Sequence, residues 1–210
     1  MPWYYHVCRV IVRVLLFLTT RCQIRGRENI PSQGPLLVVA NHLSLADPPL
    51  LNMLFHRQVR FMAKSKLFRF RPIGGFIRGL GGFPIHRGRP DMRAFRHAEQ
   101  VLTQGLVLAI FPEGRRSQSG HLGQVFPGPA RIALRSGASI LPVGIAGTEN
   151  LEHWPGLLTR PRVTVNIGRP FHLPPTASEL TKTELINYMM DHVAELLPIE
   201  YRGTYGRQGN

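Results

Sequence analysis

The feature that most constrains this chain is a run of five apolar residues, Leu36-Leu37-Val38-Val39-Ala40, bounded by Pro35 and closed by Asn41-His42-Leu43-Ser44-Leu45-Ala46-Asp47. A run this short, partly β-branched and without a polar position, reads as a buried strand. Similar stretches recur at 59–63, 81–87, 106–111, 140–146 and 162–167. Helical patterns lie between them at 48–55, 90–104, 127–136 and 178–197, with Ser178 as a candidate cap for the last. Gly105 stands where a helix C-terminal cap prefers glycine. Pro142 inside the fifth run argues for an edge position or a strand start. Residues 21–34 read as a polar connector and 201–210 as a flexible tail. No repeat and no interdomain linker interrupts the alternation. It predicts a single α/β domain, a largely parallel central sheet flanked by helices.

The first strand delivers His42 to its C-terminal end, where open α/β sheets place their sites. Asp47 follows five residues later. On a regular helix that step separates side chains by about 140°, so a His42–Asp47 contact requires His42 to sit on a turn. A carboxylate on one ring nitrogen fixes the tautomer, and the other nitrogen is then free to take a proton from a hydroxyl. The spacing alone also fits a plain polar loop.

Charge narrows the partners. Formal net charge is +14, and apart from Lys64, Lys66 and Lys182 every cationic side chain is arginine or histidine. Arginine favours flat oxyanions. Nucleic acid, an anionic membrane surface and a small phosphorylated substrate all fit this balance. Cys8 and Cys22 lack metal-type spacing and are expected as free thiols, and the scattered histidines indicate no metal site. The segment 3–18 (WYYHVCRVIVRVLLFL) is too short and too charged for a comfortable span, and no small-residue cleavage site follows it. As a helix it sets His6, Arg9 and Arg13 on one side, apolar residues over the rest and aromatics at one end. That pattern suits an amphipathic helix in a membrane interface, and equally a helix packed on the protein's own core. In 67–77 apolar and basic residues interleave, as on a surface near lipid or an ordinary solvated face.

Two further polar clusters end predicted strands: Arg87, and the turn Pro112-Glu113-Gly114-Arg115-Arg116-Ser117. Glycine lets a phosphate approach the backbone and arginine supplies forked donors. In a parallel sheet these ends share one edge with His42 and Asp47.

Taken together, Asn41 to Asp47 (NHxxxxD), Gly82 to Arg87, Phe111 to Ser117 (FPEGRRS) and the apolar strand at Ile140 to Val143 resemble the four blocks of the glycerolipid acyltransferases, whose best-known activity is 1-acylglycerol-3-phosphate O-acylation. Phe61-Met62-Ala63-Lys64 and Gly147-Thr148-Glu149-Asn150 add to the likeness, which spans roughly 25–197. The resemblance implies an acyltransferase domain over 21–200, behind a membrane-interface helix at 1–20. It implies acyl transfer from acyl-CoA or acyl-carrier protein to the free hydroxyl of 1-acylglycerol-3-phosphate, giving phosphatidic acid in phospholipid synthesis. His42 would be the general base and Asp47 its orienting carboxylate. Arg87, Glu113, Gly114 and Arg116 would surround the acceptor phosphate, with Lys64 and Arg131 as further candidates. Neither metal nor prosthetic group is implied. The expected partners are a membrane lipid acceptor, the acyl donor and an anionic membrane surface, without nucleic acid. The expected location is peripheral or monotopic on the cytoplasmic face of a membrane. Three positions depart from the family pattern toward basic character: Lys66, His86 before Arg87, and Arg115 in place of threonine. They leave room for another lysolipid or an amino-lipid as acceptor. A non-enzymatic binder of anionic lipid or nucleic acid would explain the charge, but neither the His/Asp pair nor the EGRR turn.

Overall fold

The computed structural model describes residues 3–86, 91–152 and 159–207. Arg87 therefore lies outside the described residues. In chain order the elements are α1 (Trp3–Thr19), β1 (Arg21–Arg25), β2 (Leu36–Ala40), α2 (Asp47–Leu54), β3 (Val59–Lys64), α3 (Arg71–Gly79), β4 (Gly82–Ile85), α4 (Met92–Thr103), β5 (Val107–Ile110), α5 (Gly128–Ser136), β6 (Ser139–Ala146), β7 (Arg162–Ile167) and α6 (Lys182–Glu195). The strands form one sheet in the order β1-β7-β6-β2-β5-β3-β4. Every pairing is parallel except β6 with β7.

The apolar runs follow from burial on both faces of this sheet. Leu37 and Val39 of β2 join Leu108 and Ile110 of β5 in a core beneath α4, α5 and α6. Leu36, Val38 and Ala40 turn the other way, into a second core with Leu50, Leu51 and Leu54 of α2 and with Val12 and Leu16 of α1. The helix after β2 thus covers one face and the helix after β5 covers the other. Their loops part at the C-terminal ends of two neighbouring strands, and a crevice opens between them.

Several local expectations change. β1 stands where a connector was expected. Its sequence, RCQIR, is largely exposed and sets only Cys22 and Ile24 on one face between polar residues, too short a pattern to mark a strand, and backbone pairing to β7 holds it in the sheet. Pro142 is interior, not at an edge, because β6 pairs on both sides. Its carbonyl accepts from Gly168 N–H at 3.0 Å, just past the end of β7. The missing N–H therefore faces a place where no ladder bond is needed. Helix α6 begins at Thr181, whose side chain and Glu184 form a capping box, while Ser178 belongs to a preceding 3-10 turn. Where a tail was expected, the backbone forms 3-10 turns at Ile199–Tyr201 and Gly203–Arg207. Tyr201 donates to Glu149 Oε1 at 2.6 Å and Tyr205 to Asn187 Oδ1 at 3.0 Å.

Helix α1 packs on the protein's own core through one seam and leaves much of its apolar surface exposed. A seam of Tyr5, Val12 and Leu16 is buried. Tyr5 Oη accepts from Val59 N–H at 3.1 Å. Arg9 leaves the expected polar side, donating to the Phe55 carbonyl at 2.6 Å with its guanidinium over the Tyr5 ring. Trp3, Val7, Val10, Val14 and Phe17 form an exposed stripe at i, i+4 and i+3 steps, and Tyr4, Ile11, Leu15 and Leu18 widen it. The segment 67–77 folds largely into α3, which packs on α1 and leaves Phe70 and Ile73 exposed. Among the described residues no helix is long and apolar enough to cross a membrane.

Candidate active site

The loop that follows β2 is built around one carboxylate. Asp47 is the first residue of α2 and fully buried. Its Oδ2 accepts from Leu43 N–H and Ser44 N–H, both at 2.7 Å, and lies 2.8 Å from His42 Nδ1. Its Oδ1 accepts from Thr148 Oγ1 at 2.6 Å. Asp47 is an acceptor surrounded by donors, so the Nδ1–H tautomer of His42 follows from the geometry. The imidazole stacks on Phe111 with centroids 4.3 Å apart. As expected for a contact across five residues, His42 sits on a turn. Ser44 is buried within the turn, its Oγ accepting from Ala46 N–H at 3.2 Å. Asn41 anchors the loop's start, its side chain exchanging two hydrogen bonds with Ile145 of β6.

The loop after β5 locks onto this turn from the opposite side of the crevice. Glu113 Oε1 accepts from His42 N–H at 2.9 Å, and Ser117 N–H donates to the His42 carbonyl at 2.8 Å. Glu113 is buried and so braces the His42 turn; it is not among the residues that line the cleft. Burial pushes its carboxyl up to about 7, opposed by the hydrogen bonds from His42 and Gly123 and assisted by the charge of Asp47. A raised carboxyl means that the folded state holds this proton between about pH 4.5 and 7 while the unfolded chain releases it. Its contribution to stability is full below about 4.5, declines as pH rises, and levels off above 7. Glu113→Gln keeps an acceptor for His42 N–H and removes the titration. Relative to wild type, the variant should gain up to about 3 kcal/mol between pH 4.5 and pH 8. Denaturant unfolding at both pH values checks this, and a pH-independent difference would contradict it.

His42 lines a cleft of about 740 Å³. Met62, Leu67, Phe95, Phe111, Phe126 and Ile132 give it apolar walls. Gly114 also lines it, at φ +65° and with the Phe126 ring 3.0 Å from where a Cβ would stand. Lys64, at the end of β3, and Arg131, on α5, reach the same cleft. Arg116 does not line it; its guanidinium pairs with Glu152, whose other oxygen accepts from Leu45 N–H at 3.1 Å. Thus Arg116 ties the turn after β5 to the His42 loop, while its neighbour Arg115 faces the cleft. Sequence reasoning assigned no role to Thr148 or Phe111, and counted Arg115 only as one of the two arginines of the turn and as a departure toward basic character. Thr148 lay in the recognised Gly147-Thr148-Glu149-Asn150 block, but nothing in that block indicates that its hydroxyl meets Asp47. Among the described residues no three His, Cys, Asp or Glu side chains gather as metal ligands.

A family model described as Acyltransferase matches residues 21–146, more than half of the chain. The 1-acyl-sn-glycerol-3-phosphate acyltransferase of Streptococcus pneumoniae is 32% identical over 174 residues, covering 81% of this chain and 63% of that protein. The chloroplastic 1-acyl-sn-glycerol-3-phosphate acyltransferase of Arabidopsis thaliana is 27% identical, with 81% of this chain and 49% of its own length aligned. The chain thus spans half to under two thirds of these two relatives. The crystal structure of the 1-acyl-sn-glycerophosphate acyltransferase PlsC from Thermotoga maritima superimposes with a TM-score of 0.69 at 27% identity, over 91% of this chain and 79% of that one. With the His42–Asp47 pair, the bracing Glu113 turn, the shared architecture and the family match in agreement, this chain belongs to the acyltransferase family.

Proposed function

We propose that the protein transfers a fatty acyl group from a thioester, acyl-CoA or acyl-carrier protein, to the free hydroxyl of 1-acylglycerol-3-phosphate. The observation that carries this reading is the Asp47-held His42 on the wall of an apolar cleft that also carries cations. The imidazole takes the acceptor's hydroxyl proton while that oxygen attacks the thioester carbonyl carbon. The tetrahedral intermediate collapses with cleavage of the carbon–sulfur bond, and the imidazolium returns the proton to the departing thiolate. The products are an ester and a free thiol, and neither serine nor cysteine of the enzyme is acylated. Asp47 stabilises the imidazolium between the two transfers. The apolar walls suit the acyl chains, and Lys64 and Arg131, with Gly114 permitting close approach, suit the acceptor phosphate. The family likeness assigns Arg87, which lies outside the described residues, to the acceptor phosphate, and Arg116 could join Lys64 and Arg131 only by leaving Glu152. The test is a panel of lysolipids incubated with purified protein and acyl-CoA or acyl-carrier protein. Phosphatidic acid should be the main product, and acylation confined to other lysolipids would change the acceptor.

A lipid acceptor places the enzyme at a membrane surface, and the exposed stripe of α1 with Phe70 and Ile73 gives it an apolar face to insert. Arg13 of α1, Arg71 and Arg78 of α3 and Arg69 just before α3 are exposed. Basic residues near an anionic bilayer contribute about 1 kcal/mol each, reduced by salt. Replacing Val7, Val10 and Val14 together by Glu spares the buried seam. It should cut sedimentation with phosphatidylglycerol vesicles about tenfold or more, at unchanged far-ultraviolet circular dichroism. Undiminished sedimentation would remove α1 from the membrane contact.

A further inference from the structure

A third segment meets the two loops of the crevice, and it lies beyond residue 146, where the family match ends. After β6 the chain forms a 3-10 turn over Thr148–Leu151 behind Gly147, which stands at φ +89°. A Cβ on Gly147 would fall 2.1 Å from the Arg162 carbonyl oxygen, so the turn is seated tightly against the start of β7. That seat places Thr148, which is fully buried and donates its hydroxyl to Asp47 Oδ1 at 2.6 Å. Asp47 Oδ2 faces Leu43 N–H, Ser44 N–H and the imidazole. The Thr148 bond on the other oxygen opposes rotation of the carboxylate away from Nδ1. At the far end of the same turn Glu152 accepts from Leu45 N–H at 3.1 Å and pairs with Arg116. One turn thus touches both loops.

The C-terminal residues hold this turn from behind. Tyr201 Oη donates to Glu149 Oε1 at 2.6 Å, one residue from Thr148. Burial, and then Glu149, pushes the phenol up to about 12, so it remains a donor at any working pH. The Tyr201 carbonyl accepts from Leu122 N–H at 2.8 Å. Gly203 follows at φ +56°, where a Cβ would stand 2.2 Å from the Leu122 carbonyl oxygen. Leu122 precedes Gly123, whose N–H donates to Glu113, the carboxyl beneath His42 N–H. Residues 201–203 therefore bridge the turn that holds Asp47 and the loop that holds His42. Arg202 Nε, donating to the Leu197 carbonyl at 2.9 Å, and Tyr205, donating to Asn187 at 3.0 Å, fasten the bridge to α6 and its end. Neither Thr148 nor Tyr201 lines the cleft, so neither meets the reactants.

We infer that Thr148 is a positioning residue for acyl transfer, acting through Asp47, and that the C-terminal segment keeps it in place through Tyr201 and Glu149. The inference rests on the acyl-transfer reading above. It is tested on the full chain with acyl-CoA as donor and 1-acylglycerol-3-phosphate as acceptor. Thr148→Val keeps the side chain's volume and removes a donor to a carboxylate, so kcat should fall about tenfold to a hundredfold, with both KM values within about twofold. Thr148→Ser gives up a buried methyl and keeps the hydroxyl. It should hold kcat within about threefold of wild type even where its thermal midpoint is lower. Tyr201→Phe leaves the ring packed and should lower kcat about three- to tenfold at unchanged KM. Wild-type kcat in a folded Thr148→Val protein would overturn the role of the hydroxyl, and so would a loss in Thr148→Ser equal to that in Thr148→Val. Wild-type kcat in Tyr201→Phe would overturn the role of the C-terminal segment. A second readout needs no turnover: the His42 Nδ1–H proton, followed by NMR of histidine-labelled protein and assigned by its absence from His42→Ala. It should give a sharp downfield signal in wild type and Thr148→Ser and be broadened or lost by exchange in Thr148→Val. An equally sharp signal in all three would overturn the inference. Wild-type protein that acylates no acceptor, while this signal still follows the hydroxyl, would overturn the acyl-transfer reading and leave the hold on Asp47 standing.

Discussion

His42→Ala should lower acyl transfer by about 10²- to 10⁴-fold, the range a positioned general base contributes, while the protein stays folded. The imidazole lies on the cleft wall and not within either hydrophobic core, and its stabilising contacts are the stack on Phe111 and the bond to Asp47. The backbone bonds that join the two loops, His42 N–H to Glu113 and Ser117 N–H to the His42 carbonyl, survive the substitution. Turnover at saturating substrates, with circular dichroism as the folding control, checks this. A folded His42→Ala protein with wild-type turnover would remove the histidine from the chemistry.

Asp47 should be more costly, because it serves both the fold and the reaction. Asp47→Ala leaves two backbone N–H groups, the Thr148 hydroxyl and the imidazole Nδ1–H without their acceptor in a fully buried site. The expected loss is about 3–5 kcal/mol, a large part of the 5–15 kcal/mol that holds a typical domain together. Asp47→Asn retains volume and one acceptor oxygen, so it should fold better and yet turn over about 10³- to 10⁴-fold more slowly through loss of tautomer control. Denaturation midpoints and turnover for the two variants separate the roles. Equal stability of Asp47→Ala and wild type would show that the donors around Asp47 find other partners.

What could be read from the sequence depended on how each residue is held. The apolar runs at β2, β5 and β6 were legible because both faces of those strands are buried, leaving no polar position to confuse the pattern. β1 was not, because an exposed edge strand held by backbone bonds carries no such mark. Pro142 misled for a related reason: a missing donor matters only on the side where a neighbour needs it. The convergence of His42, Asp47 and the EGRR turn on one edge followed from strand-end logic, while Arg87, the third cluster of that expectation, lies outside the described residues. Which of two adjacent arginines faces the cleft did not, since Glu152 is 36 residues from Arg116 in the chain. The buried seam of α1 is narrow, which is why its sequence fits an interfacial helix and a packed helix alike.

In the proposed reaction the acceptor hydroxyl, activated by His42, attacks the thioester directly. Release of free thiol from acyl-CoA, followed with and without 1-acylglycerol-3-phosphate, tests it most directly. Thiol should appear only when the acceptor is present, in step with phosphatidic acid, and at a rate that collapses in His42→Ala. A burst of thiol equal to the enzyme concentration in the absence of acceptor would contradict the claim, because it would mean that the acyl group first becomes bonded to the protein.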